Sequence, residues 1–204
     1  MPRDDADDLP DLNSDLDAGG STLPCGTYEA DVYTMSTYWA ENDTISGDAL
    51  MFRLEMKIVE VVNEEPPLPK EETEDDQTKP APNVQVGEIR KWQGPIGPKD
   101  KKGKLPFACQ KNAARCKDLV QAILRFEPGA KLASTAVDAD GTTAVDWNAY
   151  FKAGIGENNP LEGRPIRIVI SRIETKQNKR HMYVPQFQPS SRVKVRETNV
   201  LDGL

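Results

Sequence analysis

The sequence predicts a mainly β fold with an inserted helix, and three stretches support this prediction. Residues 50–58 alternate strictly, and their large apolar side chains share one face of a strand: Leu50, Phe52, Leu54, Met56 and Ile58. Residues 110–126 change to a helical period, with apolar side chains recurring every three or four residues. Residues 164–173 return to alternation. We therefore expect strands on both sides of one helical element.

The first strand is predicted at residues 26–37, where apolar and polar side chains again alternate. Tyr28, Ala30 and Val32 fall on one face, and Glu29, Asp31 and Tyr33 fall on the other. A polar stretch at 40–48 predicts a hairpin connection to the strand at 50–58. Such alternation is typical of antiparallel strands with one face towards water.

Further elements follow the predicted helix, which Pro128 and Gly129 end. A shorter helix is predicted around 145–153, a turn at 161–163, and more strands at 181–187 and 192–196. Short antiparallel strands around one helical element suit a partly open barrel such as the OB-fold. An α+β antiparallel sheet is the alternative.

Two acidic segments carry almost nothing to bury, and they define the predicted domain organisation. Residues 1–24 are expected to be a disordered acidic arm. Residues 63–83 hold five prolines and are expected to form a flexible acidic insertion within one domain, 25–197. Residues 198–204 are a short C-terminal tail.

Composition and motifs argue for a non-enzymatic intracellular protein. The 204 residues include no apolar stretch of about 18 residues that could span a bilayer, and no apolar targeting segment at the start. Three cysteines without CxxC spacing and one histidine make a zinc site improbable. His181 follows Lys179 and Arg180, which favours a surface role over that of a general base. We expect no cofactor, metal or catalytic residues, and a cytoplasmic location.

Charge is strongly segregated within a net charge of −7. Residues 1–20 hold seven aspartates against one arginine, and residues 60–79 hold eight acidic residues against two lysines. Residues 90–117 and 164–196 each hold nine Lys or Arg residues against one acidic residue. Mixed with aromatic side chains, such basic blocks favour single-stranded nucleic acid, whose phosphates bind cations and whose bases stack on rings.

The predicted nucleic-acid-binding residues are the cations and aromatic side chains of these two blocks: Arg90, Lys91, Trp92, Lys101, Lys102, Lys104, Arg164, Arg167, Arg172, Lys176, Lys179, Arg180, Tyr183 and Phe187. Trp92 lies between Lys91 and a loop rich in glycine and proline, and we expect it to be exposed. Phe107 also lies in the first block, after Lys104. Basic turns are common, however, and most strand Tyr and Phe side chains belong to a core.

The acidic arm can compete with a polyanion for a basic groove. Deleting residues 1–20 is therefore expected to tighten DNA binding at low salt, and unchanged affinity would contradict this role.

The sequence resembles small bacteriophage proteins encoded near replication and recombination genes, which include single-stranded DNA-binding proteins of the OB-fold type. The resemblance lies in GTYEADV at 26–32, the strand at 50–58, and LEGRPIRI at 161–168 followed by a basic hairpin. It covers about residues 26–62 and 105–190 as a pattern of strands and turns. It implies coating of single strands without sequence preference, partners among replication or recombination proteins, and a homo-oligomer as one option.

Two other classes stay open. A structural or assembly protein, or a protein-interaction protein, would also be β-rich and without catalytic motifs, and it would form defined oligomers without nucleic acid. A nuclease would need a carboxylate cluster, for which Glu29, Asp31 and Glu55 are the candidates on the polar faces of the first two strands.

Overall fold

The described part of the chain contains five strands and two helices. The computed structural model describes residues 23–42, 47–65, 83–99, 102–126, 147–174 and 181–194. In chain order the elements are β1 (Gly26–Asn42), β2 (Gly47–Glu64), β3 (Ile89–Gly97), α1 (Phe107–Ile123), α2 (Trp147–Gly154), β4 (Pro165–Glu174) and β5 (His181–Pro189).

The strands form one antiparallel sheet in the order β3-β2-β1-β4-β5. The long β1–β2 hairpin pairs along its whole length, from Gly26 opposite Glu64 to Asn42 opposite Gly47. The first part of β1, Gly26–Asp31, also pairs with β4, while β3 pairs with Leu50 to Lys57 of β2. The hairpin therefore joins the β3 side of the sheet to the β4–β5 side.

A bulge in β1 changes which side chains face the core. The register to β2 shifts between Val32 and Thr34, so Tyr33 is the extra residue, and its side chain is exposed. Before the bulge the even-numbered residues are buried, whereas after it Met35 is buried. The predicted alternation therefore holds up to Val32 and then reverses.

The core lies between one face of the sheet and the two helices. Each strand contributes buried apolar side chains to it, and those of α1 and α2 include Ala113, Cys116, Leu119, Val120, Trp147 and Phe151. The ring of Trp92 in β3 packs edge-on against Phe187 in β5, with centroids 5.5 Å apart, although three strands separate β3 from β5 in the sheet. The sheet is thus curled until its two edge strands approach each other.

Prolines and α1 account for the open gap between the two edge strands. Pro95 in β3 and Pro185 and Pro189 in β5 have no backbone N–H to donate to a closing ladder. Helix α1 contacts both strands, and Asn112 Nδ2 donates to the carbonyl oxygen of Pro95 at 2.9 Å. This approach requires Gly94, since a Cβ there would lie 2.5 Å from Asn112 Nδ2.

The mainly β fold with inserted helical elements is confirmed, and several boundaries differ from the prediction. Both first strands run into the expected connection at 40–48, and the first helix begins and ends three residues earlier than 110–126. No strand was predicted at the position of β3. The prediction of a strand at 192–196 is wrong for the described residues 192–194, because a turn follows β5 there. Within the described ranges, neither helix has the length and apolar character needed to cross a membrane.

The ends of the predicted insertion stand together at the base of the β2–β3 connection. The Glu64 carboxylate accepts hydrogen bonds from the backbone N–H groups of Asn83 (2.8 Å) and Val84 (3.1 Å). Glu65 N donates to the carbonyl oxygen of Cys25 at 2.8 Å. Residues 66–82 lie outside the described residues, but the chain leaves and re-enters the sheet at one point.

Candidate nucleic-acid interface

The face of the sheet turned away from both helices, here called the outer face, carries the polar side chains of the strands. Its rows follow from the register, in which Ser36 of β1 lies opposite Arg53 of β2, and Arg53 lies opposite Gln93 of β3. Glu55 pairs with Lys91 in the next row. On β4, Arg167 lies opposite Glu29 of β1.

Tyr38, Arg53 and Gln93 form a contact cluster on the outer face, here called the ring–guanidinium cluster. The Tyr38 hydroxyl donates to Gln93 Oε1 at 3.1 Å, and Arg53 Nε donates to the same oxygen at 3.4 Å. The Arg53 guanidinium lies 4.7 Å from the centroid of the Tyr38 ring. One amide oxygen therefore orients both an aromatic ring and a cation, and all three side chains remain at least partly exposed.

Two lysines extend the positive charge along β2 and β3. Lys91 Nζ lies 3.3 Å from Glu55 Oε1, with 57% of the lysine side chain exposed. Such a surface pair contributes little stability, so Lys91 can exchange Glu55 for another anion at low cost. Lys57 is also exposed. Over these two strands the outer face carries three cations, Arg53, Lys57 and Lys91, and two carboxylates, Glu55 and Glu60.

The β1–β4 half of the outer face is neutralised and covered. The Glu29 carboxylate is fully buried and accepts hydrogen bonds from Arg167 Nε (2.7 Å), Ser190 Oγ, and the N–H (3.2 Å) and Oγ (2.7 Å) of Ser191. Arg192 Nη2 donates to Asp31 Oδ1 at 2.5 Å and to the carbonyl oxygen of Ala30 at 3.1 Å. The turn after β5 is thereby fastened across β1.

Glu29 is ionised in this setting. Burial alone would raise the pKa of its carboxyl, but the hydrogen bonds from Ser190, Ser191 and Arg167 together outweigh burial and hold the pKa below its ordinary value. Because Glu29 and Asp31 engage Arg167 and Arg192, this half of the face offers little positive charge to a ligand.

The structure separates the predicted site residues. Lys91 and Arg167 lie on the outer face, while Arg90 is largely buried beside Glu88, its Nη2 at 3.1 Å from Glu88 Oε2. Lys102 and Lys104 are exposed in the β3–α1 connection. Of the other predicted cations that the structure describes, Arg164 lies just before β4 and Arg172 belongs to β4. Outside the described residues lie Lys101, Lys176, Lys179 and Arg180, and nothing is described of the Tyr183 side chain.

The expectation that Trp92 is exposed is wrong, and Phe187 also belongs to the core. Only 1% of either residue is exposed, and the two rings pack against each other. Trp92 has the same parity in β3 as Ile96 and lies opposite Leu54, so its side chain points towards α1. Neither ring can stack on a base in this structure.

The three carboxylates proposed for a nuclease do not gather. Glu29 and Asp31 are bound by arginines, and Glu55 is paired with Lys91. Across the described ranges no group of three His, Cys, Asp or Glu side chains is placed to hold a metal ion.

Sequence reasoning missed the ring–guanidinium cluster. The alternation of residues 50–58 puts Arg53 on the polar face of its strand, but Tyr38 lies just beyond the predicted end of the first strand at residue 37. Gln93 lies in the missed strand. The available signal was the aromatic content of residues 33–39, which includes Tyr33, Tyr38 and Trp39.

Comparison with known proteins adds no relative. A scan against protein-family models gave no match, and a search of curated proteins gave no match either.

Proposed function

We propose that this protein binds single-stranded DNA without sequence preference, and that the β1–β2–β3 part of the outer face is its binding surface. The observation that carries the proposal is the ring–guanidinium cluster, which presents an aromatic ring and a cation side by side, with Lys91 and Lys57 in the next two rows of the same face. Bases of any identity offer a flat π-face, and phosphates require only positive charge, so this combination suits single strands.

The strand order supports a partly open OB-type barrel. In such a barrel, five strands curl around a core and oligonucleotides bind across strands 2 and 3 and the loops between strands 1 and 2 and between strands 4 and 5. Here β1 is flanked by β2 and β4, both helices lie between β3 and β4 in the chain, and the edges β3 and β5 converge. The connection between β4 and β5 contains, by sequence, three of the predicted cations: Lys176, Lys179 and Arg180.

Each side chain of this surface would make a different contact with the DNA. A base would stack on the half-exposed ring of Tyr38, whose orientation Gln93 fixes through the hydroxyl. Arg53 would supply a cation beside the stacked base, and Lys57 and Lys91 would bind phosphates. None of these contacts reads a base edge, which is why no sequence preference is expected.

The biological setting that fits this chemistry is DNA replication or recombination of a bacteriophage, with replication or recombination proteins as partners. The proposed setting rests on the resemblance described above, whereas the proposed binding surface rests on the geometry of the outer face.

Replacing the ring and its cation is expected to weaken binding of labelled oligo-dT of about 30 nucleotides, measured by fluorescence anisotropy. Tyr38→Ala with Arg53→Ala should lower affinity by about 5- to 100-fold, the ratio that corresponds to losing one stacked base. Removing one phosphate-binding cation, as in Lys91→Ala, should reduce the slope of log K against log salt by about 0.7. Tyr38→Phe, which retains the ring, should keep most of the affinity.

The matched control is Lys152→Ala, which removes one exposed cation from α2 on the other side of the sheet. Equal losses from Lys152→Ala and Arg53→Ala would mean non-local electrostatics and would contradict an outer-face site. If the wild-type protein binds no oligo-dT at micromolar concentration and low salt, and instead sediments as a defined oligomer, the structural or assembly function replaces this proposal.

A further inference from the structure

Phe107, the first residue of α1, has a side chain that the fold leaves in water. The residue is 67% exposed, more than any other large hydrophobic residue described. The buried side of α1 is supplied by other residues, from Cys109 to Ile123. The Phe107 ring is therefore not part of the core.

One lysine lies over the Phe107 ring, and two more lie in the connection that precedes it. Lys111 Nζ lies 4.4 Å from the centroid of the Phe107 ring, and Lys102 and Lys104 are exposed in the connection that leads into α1. Residues 97–111 hold five lysines against one carboxylate, Asp100. Phe107, Lys102, Lys104 and Lys111 are called the Phe107 patch below.

The Phe107 patch begins near the end of β3, a strand that carries part of the proposed binding surface. Helix α1 starts at the end of β3, where Cys109 Sγ contacts the carbonyl oxygen of Gly97 at 3.7 Å. The outer-face row of β3 begins with Lys91 and Gln93, and the strand ends at Gly97, about 20 Å beyond Lys91. A strand of nucleic acid that follows β3 from Lys91 and turns around the end of the sheet would therefore come to the patch.

We infer that the Phe107 patch is a second stacking site for the same single strand, with its lysines binding the flanking phosphates. The inference rests on the proposed function and extends its footprint beyond the sheet. An acidic peptide would gain from the lysines but nothing from the ring. A nucleic acid strand uses both, because base–ring stacking and phosphate neutralisation occur together along it.

The test compares two oligonucleotide lengths with the full chain. Oligo-dT of about 5 nucleotides is too short to contact the outer face and the patch at once, whereas about 16 nucleotides, the upper range for one OB-type site, can contact both. Phe107→Ala should lower affinity for the longer oligomer about fivefold or more and leave the shorter one unchanged. Phe107→Trp should restore it. Lys152→Ala serves again as the control, and 5-bromouracil photocrosslinking should place the longer oligomer on the peptide that contains Phe107.

The outcomes separate this inference from the proposed function. If Tyr38→Ala with Arg53→Ala weakens binding while Phe107→Ala does not, the outer face stands and the Phe107 patch is overturned. If only Phe107→Ala weakens binding, the patch stands and the outer-face site is overturned. If Phe107→Ala changes the sedimentation of the protein alone and not its DNA affinity, the patch contacts protein and the inference is overturned. If the wild type binds neither oligomer, both fail.

Discussion

Trp92→Ala is expected to lower the free energy of unfolding by about 4 kcal/mol, a typical cost of deleting a buried tryptophan side chain. The Trp92 ring packs edge-on against Phe52, with centroids 5.6 Å apart, and against Phe187. The Arg115 guanidinium lies 5.9 Å from its centroid. Removing the ring would open a cavity where the two edge strands and α1 meet. Urea denaturation followed by circular dichroism measures the change.

Two variants at neighbouring positions control this result. Trp92→Phe retains an aromatic side chain and should cost clearly less than the alanine variant. Lys91→Ala, one residue away on the outer face, should change stability by no more than about 0.5 kcal/mol, as is usual at exposed sites. If Trp92→Ala unfolded at the wild-type urea concentration and lost only DNA affinity, the placement of Trp92 in the core would be refuted.

The hydrophobic pattern of the sequence predicted the central strand β2 but did not predict the edge strand β3. The alternation of residues 50–58 is sufficient because β2 has one face buried along most of its length, and each apolar side chain reports that face. In β3 the same inner face is represented by Trp92, Gly94 and Ile96, and Pro95 interrupts the strand signal. Proline is tolerated there because β3 is an edge strand, which the sequence alone does not reveal.

The candidate site was harder to predict because it is assembled across strands. Tyr38 and Gln93 are 55 residues apart, and they meet only because the bulge at Tyr33 reverses the faces of β1. A one-residue change in register would send Tyr38 into the core. Charge composition marked Lys91 and the lysines near Phe107 as part of a basic block, and Lys91, Lys102 and Lys104 are exposed in the structure. Composition cannot tell which neighbouring ring faces water.

The burial of the Glu29 carboxylate could also not be predicted from the local sequence. Alternation placed it on the polar face of the first strand, and that is where it lies. The turn that buries it comes from residues 190–192, more than 160 positions later in the chain. No pattern within β1 predicts that partner.

Glu29→Ala is expected to lower the free energy of unfolding by about 3 kcal/mol. Breaking a buried ion pair by removing one member costs about 3–5 kcal/mol, and the lower end applies because Arg167 and Arg192 have 30% and 33% of their side chains exposed and can regain water. The Ser190 hydroxyl would also lose its acceptor. Glu29→Gln keeps an oxygen acceptor and should cost less. Urea denaturation of the three proteins at neutral pH gives both values.

The same comparison carried out against pH tests whether the charge of Glu29 is responsible. Because the pKa of Glu29 is lower in the folded protein than its ordinary value of 4.5, its charge stabilises the fold fully above about pH 4.5. That contribution is lost as the pH falls through the folded-state pKa. The groups facing the carboxylate are Arg167 from β4, and Ser190, Ser191 and Arg192 from the turn after β5, with Asp31 bound to Arg192 beside it.

The stability difference between wild type and Glu29→Gln should therefore be constant from about pH 7 to pH 5 and shrink below pH 4.5, since a protonated glutamate resembles glutamine. Asp31→Asn is the matched control, because Asp31 is partly exposed and pairs with Arg192 alone among the described arginines. Its difference from wild type should be smaller at neutral pH. A Glu29→Gln difference that persists unchanged to about pH 3 would show that the shape of the side chain, and not its charge, fastens the turn to β1.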